Sequence, residues 1–345
     1  MVGLVGAWPT EHTPPERTMT GSPIRVGVVG AGTMGYHHAR VYREMLDATL
    51  VGIADVDAER AGEVAAEFDT GVMDRSSLFD SVDAVSIAVP TASHYAVARE
   101  AIEAGTHVLV EKPFVEEIDR GHELVSMADE RGLVLQVGHI ERFNPAVSVL
   151  GDVVSEEEVI AVDARRLGPP PDRDISDGAV MDLMIHDIDV LGSIVPHDVV
   201  AVAAARSRDA PRVTAILEFE NGVVGTLTAS RVTQQKVRTL SVTARECRIN
   251  LDYIAQSVRI HRRSVPEYIV SEGDVRYRHE SLIEQPTVKN GEPLKAELRS
   301  FVECVRDEST PVVTGEDGIR AVELAMAVEE CLQEPVRRVP LVRGD

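Results

Sequence analysis

The sequence predicts an α/β protein in two parts: a doubly wound parallel sheet at the N-terminus, followed by an α+β domain with a large, mostly antiparallel open sheet. Three observations carry this. Residues 25–36, RVGVVGAGTMGY, run from an apolar β-type stretch through Gly30, Gly32 and Gly35 into a helical stretch. Between residues 24 and about 140, near-continuous apolar runs alternate with amphipathic helical ones, the pattern of strands covered on both faces. After about residue 150, strand follows strand through short turns, with few helices between them.

In the first part, strand 24–30 leads to helix 33–46, and strand 49–54 to helix 57–67. A short helix follows Asp74; then come strand 84–89, helix 93–104, strand 107–110, helix 116–131 and strand 133–137. A sheet of this Rossmann type gathers ligands at the carboxyl ends of its strands. Three loops fall there: 89–94 (VPTASH), 111–113 (EKP) and 138–145 (GHIERFNP). Pro113 and Pro145 stop their strands, because proline has no N–H to donate. The Lys112–Pro113 bond is of the only kind for which the cis form is readily accessible.

In the second part, strands are expected at 159–166, 198–206, 212–219, 222–231, 237–244, 246–251 and 257–262, with Glu220-Asn221-Gly222 as a hairpin turn. One helix, 178–194, interrupts early, and helices 293–307 and 317–332 close the chain, free to pack back on the first domain. The expected division is a disordered Pro/Thr-containing extension over 1–22, a dinucleotide-binding domain over 23–145, and a substrate-binding and oligomerisation domain over 146–345.

The formal charge of −22 argues against nucleic acid or an anionic membrane as partner. It suits a high-salt cytoplasm, where salt screens the repulsion between surface carboxylates. Only four basic residues are lysines, Lys112, Lys236, Lys289 and Lys295, so a lysine here is expected to be placed for a reason. No apolar run approaches the roughly 18 residues of a membrane span, and residues 1–22 lack the basic and apolar regions of a signal peptide, so a cytoplasmic location is expected. Cys247, Cys304 and Cys331 are scattered, without C-x-x-C, and read as small apolar residues in a reducing compartment; no metal site is expected.

The glycine spacing is that of a pyrophosphate turn. Gly30 permits the tight turn, Gly32 lets backbone N–H groups reach the phosphates, and Gly35 lets the helix pack on its strand. Thr33 and Met34 open that helix, whose N-terminus attracts phosphate. Asp55 ends the second strand 20 residues past Gly35, where a carboxylate accepts the adenosine ribose hydroxyls and repels a 2′-phosphate. NAD is therefore expected over NADP, with Arg60 nearby to soften the preference.

On helix 178–194, Asp182, His186 and Asp189 fall within an arc of roughly 60°, on a helix otherwise apolar, so the stripe faces a cleft or is paired internally. A metal would need a second histidine at ligand spacing, which this helix lacks. Lys112, at a strand's carboxyl edge, can hydrogen-bond a substrate hydroxyl and favour its alkoxide. His186, titrating near neutrality, suits a base for the hydroxyl proton, and Asp182 would orient one or the other.

GAGTMG at 30–35, PTASH at 90–94, EKP at 111–113 and GAVMDLMIHDID at 178–189 together resemble the Gfo/Idh/MocA oxidoreductases in order and spacing, over residues 24 to 330. The resemblance implies a Rossmann domain, a C-terminal domain with an open sheet, and a homodimer or homotetramer built through that sheet. It implies Lys112, Asp182 and His186 as the catalytic group and Pro90, Thr91, His94 and Glu111 beside the cofactor. The GHIERFNP segment looks like that of members acting on UDP-N-acetylhexosamines at C3. Arg142, Asn144 and Arg165 (or Arg166) are then expected on the substrate, with a salt bridge as the competing role of each arginine. Inositol or free-sugar oxidation, redox-neutral glycoside cleavage and non-catalytic NAD sensing are the alternatives.

Overall fold

The structure is a computed structural model that describes residues 22–170, 178–208, 211–262, 267–271, 274–278 and 282–333. The expected extension over 1–22 lies, but for Ser22, outside the described residues. The chain forms β1 (Ile24–Val29), α1 (Thr33–Glu44), β2 (Ala48–Ala54), α2 (Ala58–Glu67), β3 (Gly71–Val72), α3 (Arg75–Ser81), β4 (Ala84–Ile87), α4 (His94–Glu103), β5 (His107–Glu111), α5 (Ile118–Glu130) and β6 (Leu135–Gly138). These strands make one all-parallel sheet in the order β3-β2-β1-β4-β5-β6. Every residue of β4 is buried, as a strand covered on both faces requires. Two of these helices, α2 and α3, start where a short polar side chain replaces a missing backbone partner: Asp57 accepts from the Arg60 N–H (3.1 Å) and Asp74 from that of Ser77 (3.0 Å).

A 3₁₀ turn, Ile140–Phe143, leads into α6 (Pro145–Val154), where the sequence pattern predicts no helix. Pro145 does not stop its strand as expected, since β6 already ends at Gly138; it opens a helix, where its missing N–H costs nothing. Asn144 caps that helix by accepting from the Ala146 N–H at 3.1 Å.

The second part comprises β7 (Val159–Leu167), a π-helical turn (Val180–Met184), α7 (Ile185–Ile194), β8 (Val199–Arg206), β9 (Arg212–Phe219), β10 (Val224–Ser230), β11 (Val237–Ala244), β12 (Cys247–Asp252), β13 (Ser257–Arg262), β14 (Glu267–Ser271), β15 (Asp274–Arg278), β16 (Leu282–Glu284), α8 (Pro293–Asp307) and α9 (Gly315–Gln333). The second sheet runs β16-β13-β12-β11-β7-β10-β9-β8, antiparallel except where β7 meets β10; β14 and β15 pair by themselves. The β9–β10 hairpin turns at Gly222, whose φ of +82° favours glycine. One face of this sheet, with Val162, Ala164, Leu227, Leu240 and Val242, is buried beneath α6, α7 and α9. The other carries Thr214, Ile216, Thr226, Thr228 and Ser241 toward solvent.

The closing helices return to the first domain. Leu298, Phe301 and Val302 of α8 join Val26, Val28, Ala39 and Tyr42 in one core cluster. Helix α9 packs on α5 and β6 as well as on α7 and β8. The first sheet therefore completes its core with residues more than 150 positions away in the chain.

Candidate active site

At the first turn, Gly30 has φ +101°, and a Cβ there would lie 2.4 Å from the Ala88 carbonyl oxygen; one on Gly35 would lie 1.6 Å from that of Gly30. These two close the turn. A Cβ on Gly32 would meet nothing within 4 Å, so that side of the turn stands open to a ligand. The N-terminus of α1 carries no side-chain cap and no acidic residue in its first turn, which suits an anion-binding helix end. Thr33 and Met34 border this opening, Thr33 exposed and Met34 partly so. Asp55 accepts from the N–H groups of Ala31 (2.5 Å) and Asp57 (2.8 Å), while the Arg60 Nε donates to the Ala31 carbonyl (2.7 Å). Carboxylate and guanidinium thus brace the same turn, which fits a dinucleotide.

The loops at the next strand ends are tied together by His94. Its ring is buried, with Nδ1 2.8 Å from the Pro113 carbonyl oxygen and Nε2 2.9 Å from that of Val89. Pro90 and Thr91 lie at the surface of that loop, Pro90 exposed and Thr91 partly buried. Glu111 is buried and meets His38 Nε2 of α1 at 2.9 Å, so the helix after the glycine turn also anchors the 111–113 loop. Burial raises the Glu111 carboxyl, but the His38 contact together with Lys112 and His94 outweighs it and holds it below the usual range. The Lys112–Pro113 bond is cis.

Lys112 Nζ reaches across to the second domain and donates to the Asp182 carbonyl (2.9 Å) and to Asp182 Oδ1 (3.0 Å). Arg231, just past β10, donates to Asp182 Oδ2 at 2.6 Å. Burial raises the Asp182 carboxyl; the two cations outweigh it and keep it lowered. His186 comes one turn later. Its Nδ1 is buried without a partner among the described residues, and burial together with the nearby Lys112 and Arg166 charges pushes its pKa well below the ordinary value. The ring therefore does not titrate near neutrality as expected: it is neutral at physiological pH, able to accept a proton but a weaker base than a free imidazole.

The segment 178–194 is not the single α-helix its pattern suggests: Asp182 lies in the π-helical turn. Such a turn, common at functional sites, shifts the register of the helix beyond it. Asp189 does not share the Lys112 contact. It is buried, paired with Arg142 at 3.3 Å, and burial pushes its pKa up to about 7.

The structure does not bring the expected substrate arginines to the cleft. Arg142 Nη2 donates to the Val312 carbonyl (3.3 Å) as its Nη1 meets Asp189, clamping α7 to the chain before α9. Asn144 is buried, capping α6 and donating to Glu141 (3.2 Å) and the Tyr253 carbonyl (3.1 Å). Arg165 lies on the exposed face of β7, because side chains alternate along a strand and its neighbour Arg166 takes the inward face. Arg166 is fully buried, bidentate to Asp187 (3.0 and 2.9 Å) and bonded to Glu141 (2.8 Å), its guanidinium 5.1 Å from the Tyr253 ring centroid. Residue type and spacing do not single out His38, Glu141, Asp187, Arg231 or Arg238. Period-2 counting from Arg166 reaches Arg238 only once the β7–β11 register is known.

Fold and site together define a two-domain oxidoreductase, with an open glycine turn after β1 and, across the domain junction, a lysine–aspartate contact with His186 one turn further on. The family described as Oxidoreductase family, NAD-binding Rossmann fold, matches residues 24–139, and its C-terminal alpha/beta domain matches residues 158–341. The chain belongs to the Gfo/Idh/MocA oxidoreductase family. It is 35% identical over 322 residues to the UDP-N-acetylglucosamine 3-dehydrogenase of Acidithiobacillus ferrooxidans, covering 90% of this chain and 99% of that one. A solved structure of that enzyme superposes with a TM-score of 0.81 at 32% identity, over 90% of this chain and 97% of the other. The scyllo-inositol 2-dehydrogenase (NAD(+)) of Bacillus subtilis is 25% identical over 336 residues, 88% of this chain and 92% of its own length. Among the described residues no helix is long and apolar enough to cross a membrane.

Proposed function

We propose that this chain oxidises a secondary hydroxyl, at C3, of UDP-N-acetylglucosamine, with NAD as hydride acceptor. The observation that carries the mechanism is the Lys112–Asp182 contact at 3.0 Å across the domain junction, beside a neutral His186. The substrate class rests on the 35% identity to a dehydrogenase of that name. Inositol dehydrogenases among the relatives leave inositol oxidation as the second reading.

Gly30, Gly32 and Gly35 with Asp55 would hold NAD, which when bound supplies the hydride acceptor. Lys112 has three N–H donors and spends two on Asp182, leaving one for the substrate hydroxyl. That donor favours the alkoxide as it forms. His186 takes the hydroxyl proton, and with Nδ1 enclosed the exchange falls to Nε2. Asp182 fixes the direction of Lys112 and balances its charge. The Asp55 carboxylate favours NAD by repelling a 2′-phosphate. NADH formation is expected with UDP-N-acetylglucosamine and NAD, and far less with NADP. A strong signal with an inositol and none with any UDP-sugar would replace the substrate; no NADH in any mixture would point to redox-neutral turnover or to NAD sensing.

The open sheet face, with Ile216 46% and Val224 38% exposed, would join subunits into a dimer or tetramer. The −22 charge suits a high-salt cytoplasm. Sedimentation is expected to give an oligomer whose dissociation is promoted by low salt; a monomer at every salt concentration overturns both.

A further inference from the structure

Strand pairing places Arg238 of β11 directly opposite Arg166 of β7, on the same inward face. Like charges opposite one another on a sheet are destabilising, so such a pair needs another cause. Arg166 is satisfied by Asp187 and Glu141. Arg238 is not: the only carboxylate it meets among the described residues is Glu141, at 3.6 Å, already bonded to Arg166 at 2.8 Å.

Lys236 lies two residues earlier, exposed, in the connection from β10 that also carries Arg231 onto Asp182. Among the described residues Lys236 has no ion-pair partner. Its pKa is lowered, chiefly by Arg238, and that of Arg238 is lowered by burial and then by Arg166. Lys236 thus feels the positive charge of Arg238, and Arg238 that of Arg166, while Glu141 pulls both the other way and Asp187 and Asp182 also pull on Arg238. Both cations stand in a chain of net charge −22 that has only four lysines.

We propose that Lys236 and Arg238 form an anion subsite for the phosphate ester on the sugar's anomeric carbon, the diphosphate of a nucleotide sugar. This deepens the proposed function and rests on it for the sugar. Lys112 and His186 take the hydroxyl end of the substrate, and the β10–β11 connection, held to the same Asp182 through Arg231, brings Lys236 and Arg238 to its phosphate end. The diphosphate supplies the charge that Glu141 cannot give to two arginines at once. Guanidinium and ammonium divide the work: Arg238 can grip two oxygens in a fixed fork, while Lys236 acts as a mobile point charge.

The test is calorimetric titration of the full chain and of its K236Q, R238Q, K236R and R238K variants with UDP and with inorganic pyrophosphate, beside kinetics with UDP-N-acetylglucosamine, N-acetylglucosamine 1-phosphate and free N-acetylglucosamine. Loss of a charge-assisted hydrogen bond is expected to weaken UDP binding, and to raise KM for the nucleotide sugar, by about tenfold or more in each glutamine variant. K236R recovers most of that loss and R238K, which lacks the fork, less. Melting temperature stays level or rises in R238Q, because an unfavourable like-charge pair is removed; a merely structural arginine would lower it. Unchanged UDP binding in both glutamine variants overturns the subsite even if UDP-N-acetylglucosamine is oxidised. Pyrophosphate binding that the variants weaken, in a protein that ignores UDP-sugars, keeps the subsite and removes the proposed substrate. Equal loss for the monophosphate and the nucleotide sugar assigns the contact to the phosphate on the sugar.

Discussion

Lys112→Met is expected to lower kcat for the sugar substrate by a factor of about 10²–10³, the usual cost of removing one preorganised donor from a developing oxyanion. The fold should tolerate the change. Asp182 loses the ammonium but keeps Arg231 at 2.6 Å, so no buried carboxylate is stranded. KM should move far less than kcat, because the contact with the hydroxyl strengthens only as the alkoxide forms. Lys112→Arg should not restore the rate: a planar guanidinium cannot place the single remaining donor where an ammonium does. Steady-state NADH formation checks this, and a methionine variant within tenfold of the wild-type kcat would remove Lys112 from the chemistry.

Arg166→Met is expected to cost about 3–5 kcal/mol of stability, the usual loss when a buried ion pair is broken from one side. Arg166 holds both Asp187 and Glu141, and all three are buried. Without it two carboxylates remain in a low-dielectric interior, with Arg238 at 3.6 Å as the remaining cation beside one of them.

The pH dependence identifies the cause. Burial already raises the Asp187 carboxyl above its ordinary value against the pull of Arg166. Losing Arg166 raises it further. A carboxyl whose pKa is higher in the folded than in the unfolded state binds more protons when folded between those two values. Stability is then gained as pH falls through the folded pKa. The deficit of the variant should therefore shrink from neutral pH toward about pH 4, the unfolded value of an aspartate. Urea unfolding at a series of pH values measures it; a deficit that does not change with pH would mean that lost packing, not stranded charge, is responsible.

The first sheet is legible almost strand by strand, since runs such as Ala84–Ile87 are apolar or small throughout and separated by amphipathic helices. The glycine turn, Asp55, Lys112, Asp182 and His186 can all be picked out by residue type and spacing. The 138–145 segment cannot be interpreted from type alone. Its Arg and Asn suggest a substrate contact, yet each bonds to a partner distant in sequence or to its own turn: Arg142 to Asp189 and Val312, Asn144 to Tyr253 and Ala146. A polar side chain looks the same in a sequence whether it meets a ligand or a neighbour.

What the sequence by itself determined is what local chemistry dictates: a parallel doubly wound sheet followed by a mostly antiparallel one, a tight glycine turn at Gly30 to Gly35, and a polar stripe on an otherwise apolar helix. Side-chain period, backbone freedom and the order of strand and helix suffice for these. Only the tertiary structure decided which charges meet. It set the β7–β11 register that puts Arg238 against Arg166, turned Arg165 outward, carried Lys112 to Asp182 across the domain junction, and returned α8 to the first domain's core. Electrostatic contacts are short in space but unconstrained in sequence, so the charge pattern of the site exists only once the two sheets are assembled.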